Sequence, residues 1–259
     1  MQGPDDSVQW QPRVYALAAI AVLLVIAVVA LPPYAQPQGY HQFADRRSWL
    51  GIPNTGDVAS NVFFLLFALI GLWTTRLPAV RAMNKAARHA YALMFFGLLL
   101  TAFGSSYYHW SPSDTRLVWD RLPMTVVFMP LLAATFAERL RWRSDAGLLV
   151  LTLWGMGTVV YWKYSGNLLP YLITQGGSIL LLLLSLILLP TPWSGRRWLL
   201  PALACYALAF ACEQLDAIIF KASGSMVSGH TIKHVAAAFT FLFIIRMLQR
   251  QHLKTDMLS

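Results

Sequence analysis

Three histidines, an aspartate and a serine stand at helix-turn spacings near the ends of hydrophobic runs: Ser105-x-x-x-His109, Asp120, and His230-x-x-x-His234. Residues four apart share a helix face, so each pair can aim at one point. Three neutral imidazoles with an open fourth position are the ligand set of a catalytic zinc. A carboxylate and a hydroxyl beside such a metal suit proton transfer and oxyanion stabilisation. Ionisable groups inside membrane segments are a functional hypothesis by default. Taken singly, each residue has a plain reading. HxxxH alone is weak evidence of a metal, Ser105 suits helix packing, and Asp120 beside Arg121 suits a surface ion pair. Taken together, at matched spacing and depth, they favour a metal site.

The elements that must position them are membrane helices. The chain has 259 residues, of which 57% are hydrophobic and 12% charged. A soluble chain carries about a quarter charged residues. Runs 14–31, 58–75, 90–108, 146–162 and 167–190 hold no Asp, Glu, Lys or Arg, and runs 122–137, 198–220 and 229–248 carry charge only near or just beyond an end. Each approaches the length needed to cross a hydrocarbon core as a helix. The runs lack period-2 alternation, which sets a barrel aside. The expected fold is therefore an all-α membrane protein. It is a seven-transmembrane-helix bundle with one additional N-terminal transmembrane helix, eight spans in a single domain. Residues 13–32 form the extra helix and 57–250 the core. Asp5, Asp6 and Arg13 before the first run, and the Pro32-Pro33 stretch after it, argue for a retained helix over a cleaved signal.

The formal net charge is +9, but its distribution points away from nucleic acid. Arg76, Arg81, Lys85 and Arg88 fall in one loop, Arg139, Arg141 and Arg143 in an alternate one, Arg196 and Arg197 in the next alternate, and Arg246, Arg250 and Lys254 at the tail. Lys/Arg excess marks the cytoplasmic side, so both termini are expected there. With that topology, Ser105, His109, Asp120, His230 and His234 all fall near the outer leaflet. The tight turn 110–114 makes spans three and four antiparallel neighbours and sets Asp120 level with His109. Trp110, Trp119, Trp162, Tyr164, Trp193 and Trp198 at helix ends suit interfacial belts. Cys205 and Cys212 lie about two turns apart, too far for a disulfide within one helix, and read as packing residues.

Other polar residues leave two readings open. Glu213 and Asp216 either orient a zinc-bound histidine through its other ring nitrogen or pair with Lys221 or Lys233. Asp57 is expected to cap its helix, Asn61 to bond within the bundle, and Ser228 to cap the last span. His41, His89 and His252 read as interfacial or hydrogen-bonded. The connection 32–56 is expected to fold over the outer mouth of the bundle.

At these residues the sequence resembles the alkaline ceramidase family, within a superfamily of seven-helix membrane hydrolases that includes adiponectin and progestin receptor relatives. The matching stretches are Ser60-Asn61, Gly104-Ser-Ser-Tyr-Tyr-His109, Trp119-Asp-Arg-Leu-Pro-Met124, Asp216-Ala-Ile-Ile-Phe220 and His230-Thr-Ile-Lys-His234, within residues 45–250. The resemblance implies His109, His230 and His234 as zinc ligands, with Asp120 and Ser105 next to the metal-bound water. The family's eukaryotic members also carry a calcium-binding acidic cluster before the first core helix. Here that region offers Asp45, Trp49, Asn54 and Asp57, Arg46 and Arg47 intrude, and Asn54 takes the usual Glu position.

The implied activity is zinc-dependent hydrolysis of a ceramide-like lipid amide that enters from the bilayer, releasing fatty acid and sphingoid base. Asp120 would be the general base and Ser105 a donor to the oxyanion. The alternatives are a receptor or sensor with a structural zinc, or a zinc hydrolase of another lipid amide or ester. No protein partner is inferable. A bacterial inner membrane or plasma membrane is the expected location.

Overall fold

The structure, a computed structural model, describes residues 6–191 and 194–250. Trp193, His252 and Lys254 lie outside the described residues. Among these residues, eleven α-helices follow one another. They are α1 (Asp6–Ala30), α2 (Thr55–Ala59), α3 (Val62–Thr74), α4 (Pro78–Arg81), α5 (Lys85–Trp110), α6 (Asp114–Arg139), α7 (Ala146–Ser165), α8 (Leu169–Leu188), α9 (Leu199–Gln214), α10 (Asp216–Ala222) and α11 (Gly229–Arg250). Seven segments are long and apolar enough to cross a membrane, and the α9–α10 pair makes an eighth if counted as one span. The all-α bundle expected from the apolar runs is therefore present.

Two spans depart from a straight helix. The second breaks at Ser60–Asn61, between α2 and α3. The seventh turns by 83° at Leu215, so α10 runs across the end of the bundle instead of continuing α9. Neither break has a proline. Both lie where polar side chains bond to the histidine helix or its surroundings.

Glycines set how closely the site helices approach. A Cβ on Gly104 of α5 would stand 2.0 Å from the Trp119 carbonyl oxygen of α6, and one on Gly97 would stand 2.5 Å from that of Val126. Small residues at seven-residue spacing let the two backbones touch, which is how membrane helices gain packing energy without a hydrophobic driving force. The contact at Gly104 puts Ser105 and Asp120 side by side. Gly104→Ala is expected to force α5 and α6 apart at about 1–3 kcal/mol. Thermal unfolding in detergent would show the loss, and unchanged stability would mean the helices can slide.

The core lies mainly between α3, α5, α6 and α11, with Phe95, Met94, Leu98 and Ile245 fully buried. Helix α1 stands outside this core and packs on α8, where Leu24 fills the space left by Gly177. Helix α8 packs on α1, α6 and α7, whereas α9 packs on α11. These two consecutive helices face each other across a cavity of about 780 Å³.

Candidate metal centre

His109 comes from the last turn of α5, and His230 and His234 from the first two turns of α11. Their rings form a near-equilateral triangle, with centroids 4.8 Å apart for His109–His230, 4.9 Å for His109–His234 and 4.8 Å for His230–His234. All three are buried, at 1%, 4% and 3% exposure. One nitrogen from each lies within 4.8 Å of the others, and no carboxylate belongs to this group among the described residues. The Nε2 atoms of His109 and His230 are 3.3 Å apart. Two nitrogens bound to a tetrahedral zinc at its usual bond length stand roughly 3.3 Å apart. A single shared proton could join one pair, but not three converging rings. The residues therefore fit a metal ion, and zinc suits an all-imidazole set.

The network behind His234 fixes its tautomer. Its Nδ1 lies 3.1 Å from the Asp57 carbonyl oxygen and 2.9 Å from Ser60 Oγ. A carbonyl only accepts, so Nδ1 carries the proton and Nε2 is left bare for a metal. Ser60 in turn donates to the same carbonyl. Such partners hold a ligating ring in place and raise its basicity. Ser60→Ala is expected to weaken zinc binding about 10-fold. Competition with a chelator measures it, and unaltered affinity would remove Ser60 from the support. Among the described residues, no such partner meets His109 Nδ1.

The start of α11 is held by two caps. Ser228 Oγ accepts from the Thr231 amide at 3.0 Å, as expected. Asp216 accepts from the His230 amide at 2.8 Å and from the Ala44 amide at 2.9 Å. Asp216 thus acts on the backbone and reaches no ring nitrogen. Glu213 takes the other option left open by the sequence and pairs with Lys233 at 2.6 Å. Asp57 does not cap its own helix. It is fully buried and accepts from Thr231 Oγ1 of α11 at 2.7 Å, because the helix break turns its side chain inward. Asn61 bonds back to the Asp57 and Val58 carbonyls.

Ser105 and Asp120 flank the triangle. Both line the large cavity together with His230 and His234, and the Ser105 side chain lies close to the Asp120 carboxylate. The five residues singled out from spacing are thus brought to one end of the bundle. Arg121 forms no surface ion pair with Asp120. Its guanidinium is buried and lies 4.5 Å from the Trp162 ring centre, which takes Trp162 out of the interfacial belt. Trp110, Trp119 and Tyr164 remain exposed at helix ends.

The 32–56 connection closes this end. His41 bonds to the Tyr108 hydroxyl and to Asp114, Asn54 donates to the His109 carbonyl at 2.7 Å, and Arg47 donates to that of Met226. Phe43 rests on the rings of His109 and His230, at 4.7 and 4.4 Å. Sequence reasoning missed Phe43, because a lone aromatic in an aperiodic loop carries no signal. In the region considered for calcium, both Asp45 oxygens accept from the Arg47 guanidinium, at 2.8 and 2.7 Å. That pairing holds the Asp45 carboxyl below the usual carboxylate range. The arginine thereby occupies the acid that would serve as a calcium ligand.

The cavity runs from the histidines to Tyr91 and Glu138 near the opposite end. Asp120 and Glu138 are about five turns apart on α6, roughly 27 Å. Between them the wall is mainly apolar, with Leu172 and Ile179 from α8 and Leu203 and Phe210 from α9. No protein-family model matches this chain, and no curated protein matches it.

Proposed function

We propose that the protein is an integral-membrane, zinc-dependent lipid-amide hydrolase, akin to the alkaline ceramidases, that cleaves ceramide-like lipids. The observation that carries the reading is the triangle of buried imidazoles at the head of a long apolar cavity, with Asp120 and Ser105 beside it and outside the ligand group. A purely structural zinc takes four protein ligands, whereas three leave a position for chemistry.

His109, His230 and His234 would hold the ion, which when bound supplies Lewis acidity and an acidified water. Asp120 takes the proton of the attacking water as it adds to the amide carbonyl carbon. Ser105 is placed to donate a hydrogen bond to the carbonyl oxygen as it gains charge. Asp120 then returns the proton to the amine nitrogen as the C–N bond breaks, giving a fatty acid and a free amine. The cavity takes the alkyl chain, and the gap between α8 and α9 offers it a way in from lipid. Phe43 and the 32–56 connection exclude bulk water from the polar end.

The basic alternate loops support cytoplasmic termini and a site near the outer leaflet. Release of fatty acid by purified protein tests the activity, with ceramide, phytoceramide and N-acyl amino lipids as the panel. Release that depends on zinc is expected. Zinc-loaded protein that releases nothing from any of them would shift the reading to a receptor with a structural metal.

A further inference from the structure

We propose that Arg121 is the receptor for an oxyanion on the amine portion of the substrate, so that the preferred lipid amide carries a carboxylate or phosphate close to its nitrogen. This rests on the hydrolase reading and narrows its substrate class.

Arg121 is 4% exposed, yet it pairs with no carboxylate among the described residues. Its Nη1 is buried without a hydrogen-bond partner among the described residues. A buried, unpaired guanidinium is costly, and in folded proteins such a group is normally paired. Three aromatic rings hold it in place, with Trp162 at 4.5 Å, Tyr171 at 5.1 Å and Tyr40 at 5.3 Å. Cation–π contact steadies the charge but leaves the in-plane N–H donors unused. Those donors belong to a side chain that lines the same cavity as Asp120 and His230. Lys233 lines it too, but its ammonium is already met by Glu213. The cage therefore presents a fixed, uncompensated fork beside the reaction centre, and a planar fork matches carboxylate and phosphate geometry.

Position decides which part of the lipid it meets. The apolar arm of the cavity leads away from Asp120 towards Glu138 and suits the alkyl chain. Arg121 adjoins Asp120 in sequence at the polar end. A group that reaches it lies only a few bonds from the scissile amide. A neutral ceramide head group offers hydroxyls there and leaves the charge unmet.

The test compares N-oleoylglycine with N-oleoylethanolamine, which differ in a carboxylate against a hydroxymethyl, and adds N-oleoyl phosphoethanolamine as the phosphate source. Binding is read by tryptophan fluorescence in neutral detergent on Asp120→Asn protein, so it does not depend on turnover. Hydrolysis is read in parallel on protein with Asp120 intact. Either anionic lipid is expected to bind about 10- to 100-fold tighter than the neutral one, as a charge-assisted bond implies. Which of them binds tighter identifies the oxyanion. Arg121→Gln should erase that preference and leave affinity for N-oleoylethanolamine within about 2-fold. Arg121→Lys should keep part of it. Equal binding of all three lipids to the arginine form would overturn the proposal, and so would a preference that survives Arg121→Gln. A kcat loss in Arg121→Gln that is equal for neutral and anionic lipids would instead make the arginine an aid to the oxyanion of the scissile carbonyl. Should Arg121→Gln not fold, the lipid comparison on the unaltered arginine and on Arg121→Lys still decides. An absence of hydrolysis with the binding preference intact would count against the hydrolase and not against the subsite.

Discussion

Detergent-purified protein is expected to hold about one zinc per chain, and His230→Ala to hold almost none. The three ring nitrogens come from two helices and meet within 4.8 Å, so no pair of them retains the chelate of the full set. His109→Ala should behave alike, although its partner rings share a helix. The control is His89→Ala. His89 pairs with Asp145 at 2.9 Å near the start of α5, far along that helix from His109, and its loss should leave metal content unchanged. Metal analysis by mass spectrometry after gel filtration reads all three. Zinc retained at the native level in both site variants would sink the three-histidine assignment. Because metal binding free energy adds to folding free energy, the two site variants should also melt at lower temperature than His89→Ala.

Asp120→Asn is expected to keep its zinc and lose turnover by about 10²- to 10⁴-fold. The reasoning is geometric. Asp120 lies outside the nitrogen group but shares the cavity wall with His230, His234 and Ser105. An amide in its place preserves size, yet it takes no proton from water. Metal content and rate, measured on the same preparation, separate two roles. Loss of metal would make Asp120 a ligand, and full turnover would remove it from the mechanism.

The sequence carried the parts of this site that follow from local periodicity. Apolar runs announced the spans, and a polar residue inside such a run must be accommodated, so Ser105, His109, Asp120, His230 and His234 stood out. Their convergence was legible because alternating spans fix which ends lie together. What stayed hidden depends on contacts between distant segments. Arg121 looked like half of an ion pair with its neighbour, since nothing local places Tyr40, Trp162 and Tyr171 around it. The break at Leu215 has no proline or glycine to mark it. Its trace is the pair Glu213 and Asp216, one bound to Lys233 and the other to the His230 and Ala44 amides. Asp57 was misread as a cap because the turn at Ser60–Asn61 that aims it at Thr231 is set by the fit of α3 against α11.

The distribution of the three histidines along the chain has a consequence for biosynthesis. His109 leaves the ribosome before α6 to α10 exist, while His230 and His234 belong to α11, the last helix among the described residues. A nascent chain therefore carries only one of the three site imidazoles until α11 emerges. A metal at this site would load only after α11 inserts and the loop bearing Phe43 settles over it. Products stalled before α11 would then lack the metal, and its occupancy would be a chemical record that synthesis had passed the second pair of histidines.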